Sequence, residues 1–162
     1  MRALGLLEGD AIVDAATGLS VERVSDMCPD APIANIRTHL PNIVKSLIAK
    51  QLQGRSMVLM AIATIHVETA GFVPISERPS RYNTAPDGRP FAKYDFRTNL
   101  GNGAEGDGFK FRGRGFIQLT GRFNYEKYGK LLTPAIDLVR FPDRANESLV
   151  AAELMCLYLK QN

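Results

Sequence analysis

The stretch Ser56-Met57-Val58-Leu59-Met60-Ala61-Ile62-Ala63-Thr64-Ile65-His66-Val67-Glu68-Thr69-Ala70-Gly71 decides how this chain is expected to fold. Ser56 is a candidate N-cap, no helix breaker interrupts the run, and Gly71 follows its end. Apolar residues fall on every side of the helical wheel, so the segment is expected to be the central, buried helix of a mainly α domain.

Helical texture extends in both directions. Pro41 suits the first turn of a helix running to about Gln53, with Ile43, Val44, Leu47 and Ile48 on one face. Leu19 to Val24 and Ile33 to Leu40 predict two shorter helices separated at Pro29 and Pro32. Downstream, Arg122 to Leu132 and Asp143 to Lys160 read as two more, the last apolar at Leu149, Val150, Ala152, Leu154, Cys156, Leu157 and Tyr158. Residues 71 to 120 differ. Gly101, Gly103, Gly106, Gly108, Gly113 and Gly115 crowd into a short span that predicts tight turns and a long irregular loop, with a short hairpin at most. Long irregular segments inside compact domains are usually functional.

With 162 residues, 45% of them hydrophobic and 23% charged, the chain has the composition of one folded globular domain. Cys28 and Cys156 are far apart and lack metal-ligand spacing, which argues against structural zinc and a disulfide framework. No cofactor or metal is expected. The N-terminus has no uninterrupted apolar core of a secretory signal, and no stretch is long enough for a membrane span. Cytoplasmic synthesis is therefore expected, with release to the site of action by another factor.

The net charge of +3 is unevenly placed. From Glu68 to Lys127 there are ten basic and seven acidic residues, and elsewhere ten of each. A cleft lined by this loop region would attract an anionic partner.

Glu68 closes an apolar helix. Desolvation and the negative end of the helix dipole would both disfavour its charged form, as a general acid requires. The competing reading is a solvated Glu at a frayed helix end. His66, two residues away, faces another side and reads as a packed or supporting histidine. Glu77 lies nine residues on, beyond Gly71 and Pro74, where the chain can turn back. Two such carboxylates are the minimum apparatus of glycoside hydrolysis, although spacing alone favours a surface Glu77 paired with Arg78 or Arg81. Gln118 and Thr120 alternate with Ile117 and Leu119, so an extended strand would point both polar side chains the same way, toward a sugar and a water. The Arg-Gly units near Phe109, Phe111 and Phe116 allow a nucleic-acid reading, but they run directly into an ordered segment and helix start, so no nucleic-acid partner is expected.

His66-Val67-Glu68-Thr69 resembles the His-x-Glu-Thr/Ser signature of glycoside hydrolase family 19. Gly113-Arg114-Gly115-Phe116-Ile117-Gln118-Leu119-Thr120, with Asn124-Tyr125, resembles that family's Gly-Arg-Gly-x-Ile-Gln-Leu-Ser/Thr segment. Gly106 to Phe109 and the helices from Leu19 to Leu40 are most similar to its bacteriophage and prophage endolysin branch. The resemblance covers about residues 19 to 160 and implies a catalytic domain over 19 to 162, with 1 to 18 as an N-terminal extension. It implies a lysozyme-like, two-lobed helical fold with the cleft between lobes, and a monomer acting on a polysaccharide.

It further implies Glu68 as general acid, Glu77 as second carboxylate and Thr120 as holder of the attacking water. His66, Tyr82, Asn83, Arg114, Gln118 and Asn124 would be substrate-binding. The implied reaction is inverting hydrolysis of β-1,4 bonds between N-acetylated amino sugars of peptidoglycan. A chitinase on the same scaffold and a non-catalytic wall-binding module are the alternatives. Around Glu77 the sequence is looser than the family's usual spacing from Glu to Asn-Tyr. Family members also usually continue past the counterpart of Lys160-Gln161-Asn162 through another helix and an Ile-Asn-Gly-Gly segment lining the cleft, which this sequence does not contain.

Overall fold

The computed structural model describes residues 14–69 and 71–161. Expectations that fall on residues 1–13, including the start of the N-terminal extension, and on Ala70 lie outside the described residues. The helices are α1 (Val21–Met27), α2 (Ile33–Ala49), α3 (Arg55–Thr69), α4 (Asp107–Lys110), α5 (Arg122–Leu131) and α6 (Ser148–Gln161). The two-residue strands β1 (Ile75–Ser76) and β2 (Arg114–Gly115) pair antiparallel, and short 3-10 turns lie at Ala92–Tyr94, Thr98–Leu100 and Pro142–Asn146.

Two hydrophobic cores form the two lobes, and α6 serves both. Ala151, Ala152, Met155 and Cys156 enter the larger core with Val24, Ile36, Leu40, Ile43, Leu47, Ala61, Ile62 and Ile65. Val150, Leu154 and Leu157, at helical spacing on another face, enter the second core with Phe111, Leu119, Tyr125, Tyr128 and Leu138. A helix apolar on two faces can bridge two lobes without exposing either face.

Several local expectations change. Residues 33 to 49 form one helix with Pro41 inside it rather than two helices meeting there, and it ends at Ala49, short of Gln53. An interior proline removes a backbone hydrogen bond. Burial of Ile36 and Leu40 before Pro41, and of Ile43 and Leu47 after it, outweighs that loss. α3 begins at Arg55, so Ser56 lies inside it, and it is not buried all round: Leu59, Met60 and Val67 are exposed. The segment before α6 is a 3-10 turn, and α6 starts at Ser148 rather than Asp143.

The glycine-rich region is irregular, as its composition predicts, yet held by buried polar groups. Asp107 accepts from the amides of Gly103 and Ala104 at 2.9 and 3.1 Å and from the Arg122 guanidinium at 2.7 Å. Burial pushes its carboxyl up, but the Gly103 amide, the Arg122 bond and the Ala104 amide outweigh this and hold it below the usual range. Asn102 ties the same loop to α5, accepting from the Arg122 amide at 3.0 Å. Gly108 allows a close approach: a Cβ there would sit 2.1 Å from the Phe91 carbonyl oxygen.

Candidate active site

The route from α3 to Glu77 is fixed by packing and then by strand pairing. Thr69, buried on the last turn, bonds back to the Ile65 carbonyl at 2.7 Å, and Asn35 of α2 holds the Gly71 carbonyl at 2.8 Å. Phe72 is fully buried against Phe116, ring centroids 6.4 Å apart. β1 then pairs Ile75 with Gly115 and Ser76 with Arg114. This ladder is not a hairpin, because its two strands lie on opposite sides of the long loop. The Glu77 amide continues it, donating to the Gly113 carbonyl at 2.8 Å.

The Glu77 carboxylate is held by three donors. Oε1 accepts from Asn83 Nδ2 and from the Tyr94 hydroxyl, each at 2.9 Å, and Oε2 accepts from the Gly113 amide at 3.2 Å. It is a fixed, half-buried anion and makes none of the surface pairs with Arg78 or Arg81 that its spacing allowed.

Gly113 is also where Gln118 and Thr120 converge. A Cβ on Gly113 would lie 2.8 Å from Gln118 Oε1 and 3.3 Å from Thr120 Oγ1, so both side chains close onto the residue that holds Glu77. They do not arrive there from an extended strand. Gln118 has φ of 49° in the turn that joins Arg114 to its bridge partner Leu119. Left-handed backbone strains a non-glycine residue, and here the Gln118 amide offsets it by donating to the Ile75 and Gly115 carbonyls at 3.1 and 3.2 Å. The Thr120 hydroxyl donates to the Gln118 carbonyl at 2.7 Å, which leaves its lone pairs able to accept.

The remaining expected residues divide. Glu68 is exposed on the last turn of α3, so desolvation does not act on it as the sequence suggested. His66 is half-buried, and its Nδ1 is buried with no hydrogen-bond partner among the described residues. Tyr82 is exposed beneath the Arg81 guanidinium, 4.7 Å from its ring centroid. Asn124 is exposed and bonds the Thr120 carbonyl at 2.8 Å from the start of α5.

Two expected sugar contacts are structural instead. Asn83 is 1% exposed and spends its amide on Glu77 and the Arg78 carbonyl, so it serves the carboxylate and not a ligand. Arg114 is 2% exposed: it pairs with Asp143 at 2.8 Å and donates to the Lys110 carbonyl and the Tyr125 hydroxyl at 2.8 and 2.9 Å. Lysine cannot reproduce that fork. Arg114→Lys should therefore cost about 1–3 kcal/mol, read as a Tm lower by several degrees, with KM for a soluble oligosaccharide unchanged. A raised KM at unchanged Tm would return Arg114 to the substrate.

Tyr94 is the site residue that the sequence did not single out. It stands 17 positions after Glu77 across an irregular loop, and no periodicity links the two. Only the loop's folded path brings them together.

A cavity of about 570 Å³ opens between residues 16–19, α1 and the start of α3, and another of about 520 Å³ lies between α5 and residues 135–139. Neither is lined by Glu68, Glu77 or Thr120. Among the described residues no group of three or more His, Cys, Asp or Glu is placed to hold a metal ion, and no helix is long and apolar enough to cross a membrane.

No protein-family model matches the chain. Over 39 residues, 23% of its length, the chain is 54% identical to a Haemophilus influenzae protein described as glycosyl hydrolase family 19 domain-containing, and the match spans 20% of that protein. This local similarity is to a protein named for the family that the motifs resemble. Among solved structures, a chitinase C mutant superposes on 97% of this chain with a TM-score of 0.60 at 20% identity. The chain spans 60% of that chitinase and shares its fold. The mainly α, lysozyme-like architecture expected from the sequence is the one observed.

Proposed function

We propose that the protein is an inverting glycoside hydrolase that cuts β-1,4 bonds between N-acetylated amino sugars of peptidoglycan. The observation that carries this reading is the fixed Glu77 carboxylate, with Thr120 and Gln118 gathered on Gly113 beside it and Glu68 solvent-facing nine residues upstream. Glu68 gives its proton to the glycosidic oxygen as the bond from C1 breaks. Glu77 takes a proton from a water whose oxygen attacks C1 from the opposite face, which inverts the anomeric centre. Thr120 accepts a hydrogen bond from that water and orients it. Solvent then restores both carboxyl groups to their starting protonation states. Clearing of outer-membrane-stripped bacterial cells tests the activity: loss of turbidity supports it, and unchanged turbidity with intact glycan removes it.

The shared fold with chitinase C favours a second reading, chitin hydrolysis by the same two carboxylates. Charge separates the two substrates, because peptidoglycan carries stem-peptide carboxylates and chitin does not. Arg78 and Arg81 are exposed next to Glu77, and Lys93 is tied to the Arg81 carbonyl at 2.7 Å. Arg78→Glu with Arg81→Glu should slow peptidoglycan clearing about 10-fold or more at low salt, through lost electrostatic attraction. The difference should shrink as salt is raised. Hydrolysis of neutral chitooligosaccharides should be unaffected. Equal losses on both polymers would remove Arg78 and Arg81 as grounds for preferring peptidoglycan over chitin.

A further inference from the structure

The two oxygens of Glu77 are not equivalent. Oε1 receives two donors at 2.9 Å, Asn83 Nδ2 and the Tyr94 hydroxyl, whereas Oε2 receives only the Gly113 amide at 3.2 Å. A carboxylate oxygen has two in-plane lone-pair positions, so Oε1 is saturated and Oε2 retains one. Oε2 is also the oxygen on the Gly113 side, where Gln118 Oε1 and Thr120 Oγ1 crowd the glycine. We infer that Tyr94 is a positioning residue that, together with Asn83, occupies Oε1 of Glu77 and leaves Oε2 as the oxygen that takes the proton from water. The inference rests on the proposed role of Glu77 as base.

Both donors are themselves anchored. Asn83 is fixed by the Ser80 amide, which donates to its Oδ1 at 2.8 Å, and its carbonyl accepts from the Lys93 amide at 3.3 Å, one residue before Tyr94. The Tyr94 carbonyl accepts from Asn102 Nδ2 at 2.9 Å, and Asn102 in turn holds the Arg122 amide at the start of α5. The positions of the two donors are therefore set by the glycine-rich loop and not by β1. Burial first, and then the bond to Glu77, push the Tyr94 phenol up to about 12, so it remains a donor at every working pH. Arg112 also feels the Glu77 charge, and its guanidinium lies over the Phe109 ring at 4.3 Å.

Tyr94→Phe removes one donor and keeps the ring. With it, kcat should fall about 10- to 100-fold, as for a misplaced reacting group, while KM stays within about twofold of wild type. A merely structural role would lower Tm and the folded fraction while leaving kcat per folded molecule and KM at wild-type values. Should Tyr94→Phe not fold, p-aminophenylalanine at position 94, which keeps a donor on the ring, must restore kcat, and O-methyltyrosine, which fills the space without a proton to donate, must not. Wild-type kcat in folded Tyr94→Phe or in the O-methyltyrosine protein, with an inactive Glu77→Gln control, overturns the inference alone. A fully active Glu77→Gln control overturns the reading of Glu77 itself.

Discussion

Glu68→Gln is expected to slow glycan hydrolysis by about 10²–10⁴-fold, the range for removing a general acid, with little change in thermal stability. Glutamine keeps the shape and reach of the side chain but has no proton to give the leaving oxygen. Glu68 is exposed at the end of α3, so the substitution leaves no buried partner stranded and stability should stay within about 0.5 kcal/mol of wild type. The assay is turbidity loss of outer-membrane-stripped cells alongside a thermal melt. Equal clearing by the variant would remove Glu68 from its role, and a lost melt with lost activity would show that the residue holds the helix end instead.

Glu77→Gln should behave differently. Activity should again fall about 10²–10⁴-fold through loss of the base, but this time the fold should weaken too. A carboxylate accepts at both oxygens, whereas an amide turns one of them into a donor. That donor would face Asn83 and Tyr94 on one side or the Gly113 amide on the other. The cost should be about 1–3 kcal/mol, which lowers Tm by about 2–4 °C per kcal/mol in a domain of this size. The two glutamine variants thus separate by calorimetry even where both are inactive. Matching melts would contradict the three-donor cradle, and clearing at the wild-type rate would contradict the role of base.

The contrast also shows where the sequence was informative. Helices α3, α5 and α6 follow from local texture, since their apolar residues recur at helical spacing and glycine or proline sits near their ends. The merger at Pro41 was not legible. A proline's local cost is visible in the sequence, but the burial of Ile36, Leu40, Ile43 and Leu47 on both sides of it belongs to the tertiary structure.

The site divides in the same way. Residue type points to Glu68, Glu77, Gln118 and Thr120, but spacing alone does not: the strand alternation expected at Gln118 and Thr120 is replaced by a left-handed turn. The distinction between Asn83 and Arg114, which are buried and fully engaged, and Tyr82 and Asn124, which face solvent, required the folded loop. Tyr94 carried no signal, because an irregular loop has no period from which to infer a neighbour. Glu68 is exposed for a related reason: a helix apolar on all sides can still leave one side uncovered, as α3 does at Leu59, Met60 and Val67.

Few of the loop's cations are free to act on the proposed substrate. Part of the loop's excess is committed internally, with Arg114 on Asp143 and Arg122 on Asp107. Arg78 and Arg81 remain exposed beside the fixed carboxylate. These, rather than the overall +3, would meet an anionic polymer.

The most direct test of hydrolysis at the glycan is a mass spectrum of purified peptidoglycan after digestion. With the wild-type protein it should show sugar-peptide fragments with intact stems, each cut adding one water and a new reducing-end amino sugar, and these fragments should be missing with Glu68→Gln. Stem peptides released from an uncut glycan, or the same fragments in equal yield from both proteins, would contradict the account.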